Sequence, residues 1–261
     1  MRSRVSANLV LLLALGSVAA CEDDGHNPSL PGDGDGDGSG DGDGDGDGDG
    51  DGDASTGLLV AGTVCPLTDL RYPDTCDSRN LSSATVTVRG TGEEATASED
   101  GEFSLEVAPG TTSVVLEIAG DPTLDPSLVV VPLDANGASG IAVPAADADA
   151  WDALVAALIG VEPDATGTFA IYLTDSGAPA DGAEVIPPIS STILPYYDGG
   201  AAPDWLQAAA TGEAGAALVF GVTATSTTFS AVSSDGVVTR TVEEPPVEAG
   251  KTTFIHVDLT P

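Results

Sequence analysis

The sequence predicts a mainly β protein: two tandem antiparallel β-sandwich domains, joined by a segment with one short α-helix and preceded by a disordered acidic linker. Three observations predict it. From residue 57 onward, short apolar or alternating runs recur between Gly, Pro, Asn and Asp, as strands and tight turns do. One window, 147–159, carries helical periodicity. Residues 31–53 are almost only Asp and Gly, which cannot bury enough apolar surface to offset chain entropy.

At the N-terminus, Arg2 and Arg4 precede the short apolar run Leu9 to Leu15, and small residues follow. Residues 1–20 read as a secretory signal, too short to span a bilayer. The end of this segment, Val18, Ala19, Ala20 and Cys21, resembles the lipobox of bacterial lipoproteins. The resemblance implies cleavage before Cys21, fatty acylation of its thiol and amine, and a lipid anchor at the mature N-terminus. It also implies a bacterial cell-envelope location, at the outer membrane and on its periplasmic or surface face. An ordinary signal peptide cut before a cysteine is the plainer alternative, but a bridge from Cys21 would staple nothing in so floppy a tail. Acyl chains anchor firmly because each buried methylene adds about 0.8 kcal/mol.

Residues 21–56 read as the tether. Ten Asp residues alternate with Gly from Asp33 to Asp53, interrupted by Ser39. A neutral Gly-rich chain of this length spans roughly 25–30 Å r.m.s.. Self-repulsion stretches it further, within a screening length of about 8–10 Å. Asp33, Asp35, Asp37 and Gly38 match the opening of an EF-hand loop, but its twelfth position, which needs a bidentate Glu, is Gly44. The tract is left with weak, diffuse divalent-cation binding; no structured metal site and no cofactor is expected.

Without residues 1–20 the chain carries five basic and 42 acidic side chains, a formal charge of −37. This excludes nucleic acid and anionic lipid surfaces as partners.

Residues 57–133 read as the first sandwich. Strands are expected at 58–64, 84–88, 103–107, 114–118 and 128–131, with turns at Glu99 to Gly101 and at Pro109 and Gly110. The segments Ser83 to Val88, Ser98 to Leu105 and Ala108 to Gly110 resemble the transthyretin-like, carboxypeptidase regulatory-type domain. The resemblance covers about a third of the chain and implies an Ig-like accessory or binding sandwich. The zinc peptidase that accompanies that domain in its family is absent: no His-x-x-Glu occurs, and the only histidines are His26 and His256.

Cys65 and Cys76 are the other cysteines, and an oxidising envelope permits their pairing. The loop between them carries Asp69, Arg71, Tyr72 and Asp74. Closing it stabilises the fold by about 3 kcal/mol in the chain-entropy model. The bridge is either a staple on an insertion or the frame of a recognition loop with Tyr72 and Arg71 as contacts.

Residues 134–166 read as a linker. Asn136, Gly137 and Pro144 mark a loop, and a helix follows over 147–159. Trp151, Leu154, Val155 and Leu158 form one apolar stripe, and Asp147 or Asp149 caps its start. Trp151 then packs on a sandwich or, less simply, stacks on a sugar.

Residues 167–261 read as a second, degenerate copy of the sandwich, with strands at 169–173, 182–185, 215–220, 227–232, 237–242 and 253–259. An insertion, 187–205, holds Tyr196, Tyr197, Asp198, Asp204 and Trp205. Aromatics beside carboxylates suit a glycan or peptide site; they equally suit a loop folded over the end of a sandwich.

The resulting expectation is a non-enzymatic envelope lipoprotein, tied to the membrane through Cys21. The candidate contacts for an envelope protein or glycan are Tyr72, Tyr196, Tyr197 and Trp205. The alternative is a glycan hydrolase using acids of the insertion, Asp198 and Asp204, at glycosidase spacing. His256 and Asp258 share a strand face but have no legible triad partner. Lys251 is the only lysine and no Asn follows Asn136, so the Lys–Asn isopeptide bond of adhesin sandwiches has no partner in the second domain.

Overall fold

The computed structural model describes residues 57–160, 165–191, 193–199 and 205–261. The signal segment, Cys21, the acidic tract and Asp204 lie outside the described residues. In chain order the first strands are β1 (Leu58–Leu67), β2 (Thr85–Val88), β3 (Glu94–Thr96), β4 (Glu102–Val107), β5 (Ser113–Ala119), β6 (Ser127–Pro132) and β7 (Gly137–Ala146). Helix α1 (Ala148–Leu158) follows. Next come β8 (Gly167–Asp175), β9 (Ala178–Pro179), β10 (Glu184–Ile186), β11 (Tyr196–Asp198) and β12 (Trp205–Leu206). The last four are β13 (Ala216–Val222), β14 (Phe229–Val232), β15 (Thr239–Val242) and β16 (Thr252–Asp258).

Alternation decides how the strands pack. In β4, Phe103, Leu105 and Val107 turn inward while Glu102, Ser104 and Glu106 face water. Each inward side chain contributes about 1.5–3 kcal/mol relative to exposure. The described strands assemble into one long sheet and two small ones. The long sheet runs β12-β11-β13-β8-β16-β6-β5-β2-β3, with β9 paired to β8. The small sheets run β4-β1-β7 and β10-β14-β15.

The register shows which small sheet covers which face. Val86, Leu116, Val129, Phe254, Ala170 and Leu218 lie on one face of the long sheet, through the pairings β2–β5, β5–β6, β6–β16, β16–β8 and β8–β13. These residues share one buried cluster with Val60, Val64, Phe103 and Val143 of the first small sheet. Phe169, Ile171, Val219 and Ile255 lie on the opposite face and share a second cluster with Val185, Phe229 and Ala231 of the other small sheet. The mainly β, sandwich-type architecture is as the sequence predicts. In addition, the two sandwiches share a sheet and build on its opposite faces. The last strand makes the join: β16 lies between β6 and β8 and is parallel to both.

One expectation is corrected. Residues 137–146, read as a loop because of Asn136, Gly137 and Pro144, form β7, parallel to β1. Pro cannot donate to a ladder, and is tolerated here because β7 is an edge strand. Two glycines bring β7 close. A Cβ on Gly62 would sit 2.2 Å from the carbonyl oxygen of Ile141, and one on Gly137, whose φ is +97°, would sit 1.9 Å from that of Leu59.

The helix forms where expected. Asp147 caps it by accepting from Ala150 N at 2.8 Å, and its other carboxylate oxygen takes Arg79 at 2.5 Å. Trp151 is buried and stacks on Phe220 at 5.9 Å, so α1 covers the face of the long sheet that the first small sheet does not reach. Packing is the role of this tryptophan; the sugar-platform alternative is overturned by its burial. No described helix is long and apolar enough to cross a membrane.

Candidate functional site: a trough beside the disulfide-closed loop

The Cys65–Cys76 disulfide is formed, with Cα atoms 4.7 Å apart. Inside the loop, the Arg71 guanidinium donates to both carboxylate oxygens of Asp69, from Nε at 2.9 Å and Nη2 at 2.5 Å, and Arg71 N adds a third bond at 3.1 Å. The hydrogen bond from Arg71 holds the Asp69 carboxyl below its ordinary pKa, and the same bond raises that of Arg71. The guanidinium lies 5.3 Å from the Tyr72 ring centre. Arg71 is buried at 2% exposure, whereas Tyr72 stays 44% exposed. From below, Tyr172 on β8 donates its hydroxyl to Leu70 O at 2.7 Å and so moors the loop to the long sheet. Burial pushes the Tyr172 phenol pKa up, so it remains a neutral donor.

Beside this loop lies an apolar hollow of about 590 Å³. Tyr72 and Pro73 form its lip, Ile141 and Pro144 of β7 one wall, and Val131 and Phe254 part of its floor. The floor exists because the first small sheet ends at β7 while the long sheet continues beneath it to β16 and β8. Tyr172 and Phe254 stack there nearly parallel, 6.3 Å apart. His256 also lines the hollow, its Nε2 3.0 Å from the Thr174 hydroxyl. A second hollow, of about 580 Å³, lies along β7 from Gly137 to Ser139. The two share Pro132 and Ile141 in their walls, and together they form a trough along β7.

Of the four aromatic candidates, only Tyr72 keeps an exposed ring at a hollow. The other three turn inward, which corrects their reading as loop contacts. Tyr197 is 2% and Trp205 7% exposed. The Tyr197 hydroxyl donates to Val185 O at 3.1 Å and accepts from Val185 N at 3.0 Å. Tyr196 donates to Leu158 O at 2.8 Å, the end of α1, and meets Phe220 edge-on. Asp198 is buried and accepts from the backbone N–H groups of Gly212, Ala214 and Ala216 at 2.8–3.0 Å. The insertion has become strands β11 and β12, the end of the long sheet. A carboxylate held in this way has no free face for acid–base chemistry, and Asp204 lies outside the described residues.

Sequence reasoning missed Tyr172, Phe254 and β7 as parts of the trough. A signal for Tyr172 was present: the run Phe169 to Leu173 is apolar throughout, as expected of a strand buried on both faces. Asp258 accepts from the hydroxyl and N–H of Thr260, which lowers its pKa, and so ends the strand instead of serving His256. No group of three or more His, Cys, Asp or Glu side chains that could hold a metal occurs among the described residues.

No protein-family model matches the chain, and no curated protein matches it. Solved structures that are similar include the Bacillus anthracis TIE protein, at 14% identity and a TM-score of 0.24, covering 77% of this chain and 34% of that one. The shaft pilin SpaA from Lactobacillus rhamnosus GG is 12% identical, with a TM-score of 0.25 and coverage of 79% and 98%. A family 41 carbohydrate-binding module from streptococcal virulence factors, described for α-glucan recognition, is 10% identical, with a TM-score of 0.26 and coverage of 78% and 95%. Likenesses at this level carry no ligand across; the sandwich class rests on the chain's own sheets.

Proposed function

We propose that this protein is a non-enzymatic lipoprotein of the bacterial cell envelope, which displays two fused sandwiches on an acidic tether and captures a ligand in the trough beside the disulfide-closed loop. The observation that carries the reading is Tyr72, a rigid ring left 44% exposed at the lip of an apolar hollow of about 590 Å³. Large side chains held in this way are characteristic anchors of recognition. The transthyretin-like resemblance of residues 83–110 supports an accessory or binding role. The lipobox resemblance supports the anchor at Cys21, and the Asp-Gly tract serves as the solvated spacer, with weak divalent-cation binding along it. The hydrolase alternative loses ground because its named acid, Asp198, is engaged by three backbone donors.

Fractionation of cells making the full chain tests the anchor. The wild type is expected in the membrane fraction and labelled by fatty acid; Cys21→Ser is expected to be released and unlabelled. A wild type without an acyl group, together with unchanged membrane retention of Cys21→Ser, would overturn the reading.

A further inference from the structure

The small sheet β4-β1-β7 stops one strand short of what lies beneath it. Among the described residues no strand pairs with the outer edge of β7, while the long sheet passes under that edge to β16 and β8. The trough occupies this overhang, with Ile141 and Ala142 on one side and Val131 and Phe254 on the floor. Ser139, Gly140 and Ala142 are exposed, and nothing stands within 4 Å of the Cβ position on Gly140. Proteins usually blunt an open edge with charge, Pro or a bulge. From Gly137 to Val143 this edge has no charged residue, and its one proline, Pro144, stands beyond them. One bulge, where Ser139 and Gly140 (φ +65°) separate the pairings of Ala138 and Ile141 with β1, interrupts it, and the strand runs on regularly from Ile141. An unpaired edge beside an apolar trough has the geometry of strand addition, in which backbone bonds give affinity and alternate side chains enter pockets.

Charge selects the occupant. Beyond Asp53 the chain has five basic against 29 acidic side chains, a balance of −24. All five cations are engaged: Arg71 by Asp69, Arg79 by Asp147, Arg89 by Glu248, Lys251 by Glu117 and Glu248, and Arg240 by the carbonyls of Asp258 and Thr260. Asp74 and Asp134 stand at the two hollows. A second copy of this chain would bring a like charge edge to edge, so self-pairing is disfavoured. A glycan would need ring faces, but Tyr172 is buried under its stack with Phe254, which leaves Tyr72 as the exposed ring of the trough.

We propose that the outer edge of β7 is a strand-docking site for an extended segment of a partner protein with alternating apolar and basic residues. It pairs with Ala138–Ala142, since the backbone groups of Gly137 are already bonded to Asp134, and lays its apolar side chains over Val131 and Phe254. This rests on the reading of the trough as the binding site.

The test uses the full chain and a short synthetic peptide of alternating valine and lysine. Calorimetry should show binding, and amide exchange should slow at residues 138–142. Replacing every lysine with glutamate should abolish binding. Methylating the peptide's backbone nitrogens, which removes the donors and keeps the charge, should weaken it by more than about tenfold. Equal binding of the methylated peptide, binding without protection of β7, or no binding of the parent peptide would each overturn the proposal. A maltose-series oligosaccharide is the control for the site itself. If it protects the trough and the peptide does not, strand docking fails and the trough reading stands. If neither perturbs the trough, both fail.

Discussion

The chain has two insertions of similar composition and opposite outcome. The Cys65–Cys76 loop and the 187–205 segment both mix Pro, Asp and aromatic rings. In the first, Tyr72 remains at the surface; in the second, Tyr197 and Trp205 are core. The difference lies in where the polar atoms find partners. In the loop, the side chains of Arg71 and Asp69 satisfy each other within three residues, the disulfide closes the rest, and the long-range bond from Tyr172 ends on the backbone at Leu70 O, so no polar partner draws the Tyr72 ring inward. In the second segment the polar atoms reach distant backbone: Asp198 to residues 212–216, Tyr197 to Val185 and Tyr196 to Leu158. Those bonds pull the segment into the sheet, and the rings follow. Local satisfaction leaves a loop free to display a side chain; long-range satisfaction turns it into an element.

The largest effect expected from breaking this comparison is at Asp198. Asp198→Ala leaves three backbone N–H groups without their acceptor at the end of the long sheet. Each orphaned buried donor costs about 1–3 kcal/mol, so a loss of about 3–5 kcal/mol is expected after relaxation. For a domain of this size the melting temperature falls by roughly 10 °C or more. Asp198→Asn keeps one acceptor oxygen and should fall between. An unchanged melt for Asp198→Ala would mean that the segment is a surface loop after all.

Next is the disulfide. Replacing Cys65 and Cys76 together with Ala opens a closure of 11 residues' separation and should cost about 2–3 kcal/mol in denaturant unfolding. The loss should be smaller than at Asp198, because Tyr172 still holds Leu70 O and the Asp69–Arg71 pair remains. A loss well above that at Asp198 would make the loop part of the core and remove the contrast.

The same distinction explains what was legible in the sequence. Strands with one wet face, such as β4 with its Phe103, Leu105 and Val107, announce themselves by alternation. So does α1, through its stripe and its cap at Asp147. The bridge could be read from the cysteine inventory. β7 could not, because Asn136, Gly137 and Pro144 are turn residues by local chemistry, and only its place at a sheet edge permits the proline. Nor could the trough, which depends on β16 joining two halves whose contacts are far apart in sequence. The roles of Tyr196, Tyr197 and Trp205 went unread for a related reason. A ring between Pro and Asp looks the same in sequence whether its hydroxyl meets water or the carbonyl of Leu158.

The smallest stability effect, and the sharpest test of the contrast, is expected at Tyr72. Its ring is 44% exposed, and Arg71, which lies over it, is already held by Asp69. Tyr72→Ala should therefore change unfolding free energy by no more than about 0.5–1 kcal/mol, the range of an exposed cation–π contact. Binding should respond differently. A rigid ring at the lip of an apolar hollow excludes water from whatever lies in it, and truncating such an anchor costs more than about tenfold in affinity. With the valine–lysine peptide as probe, Tyr72→Ala should weaken binding by at least that factor while the melt stays near that of the parent. Trp205→Ala, whose side chain is 7% exposed in the core, should do the reverse: lower the melt through a loss of about 3–5 kcal/mol and leave the peptide affinity of the remaining folded protein unchanged. Should Tyr72→Ala instead lower the melt as far as Trp205→Ala does, with no effect on affinity, both rings would be core, and the trough would lose the residue that marks it as a site.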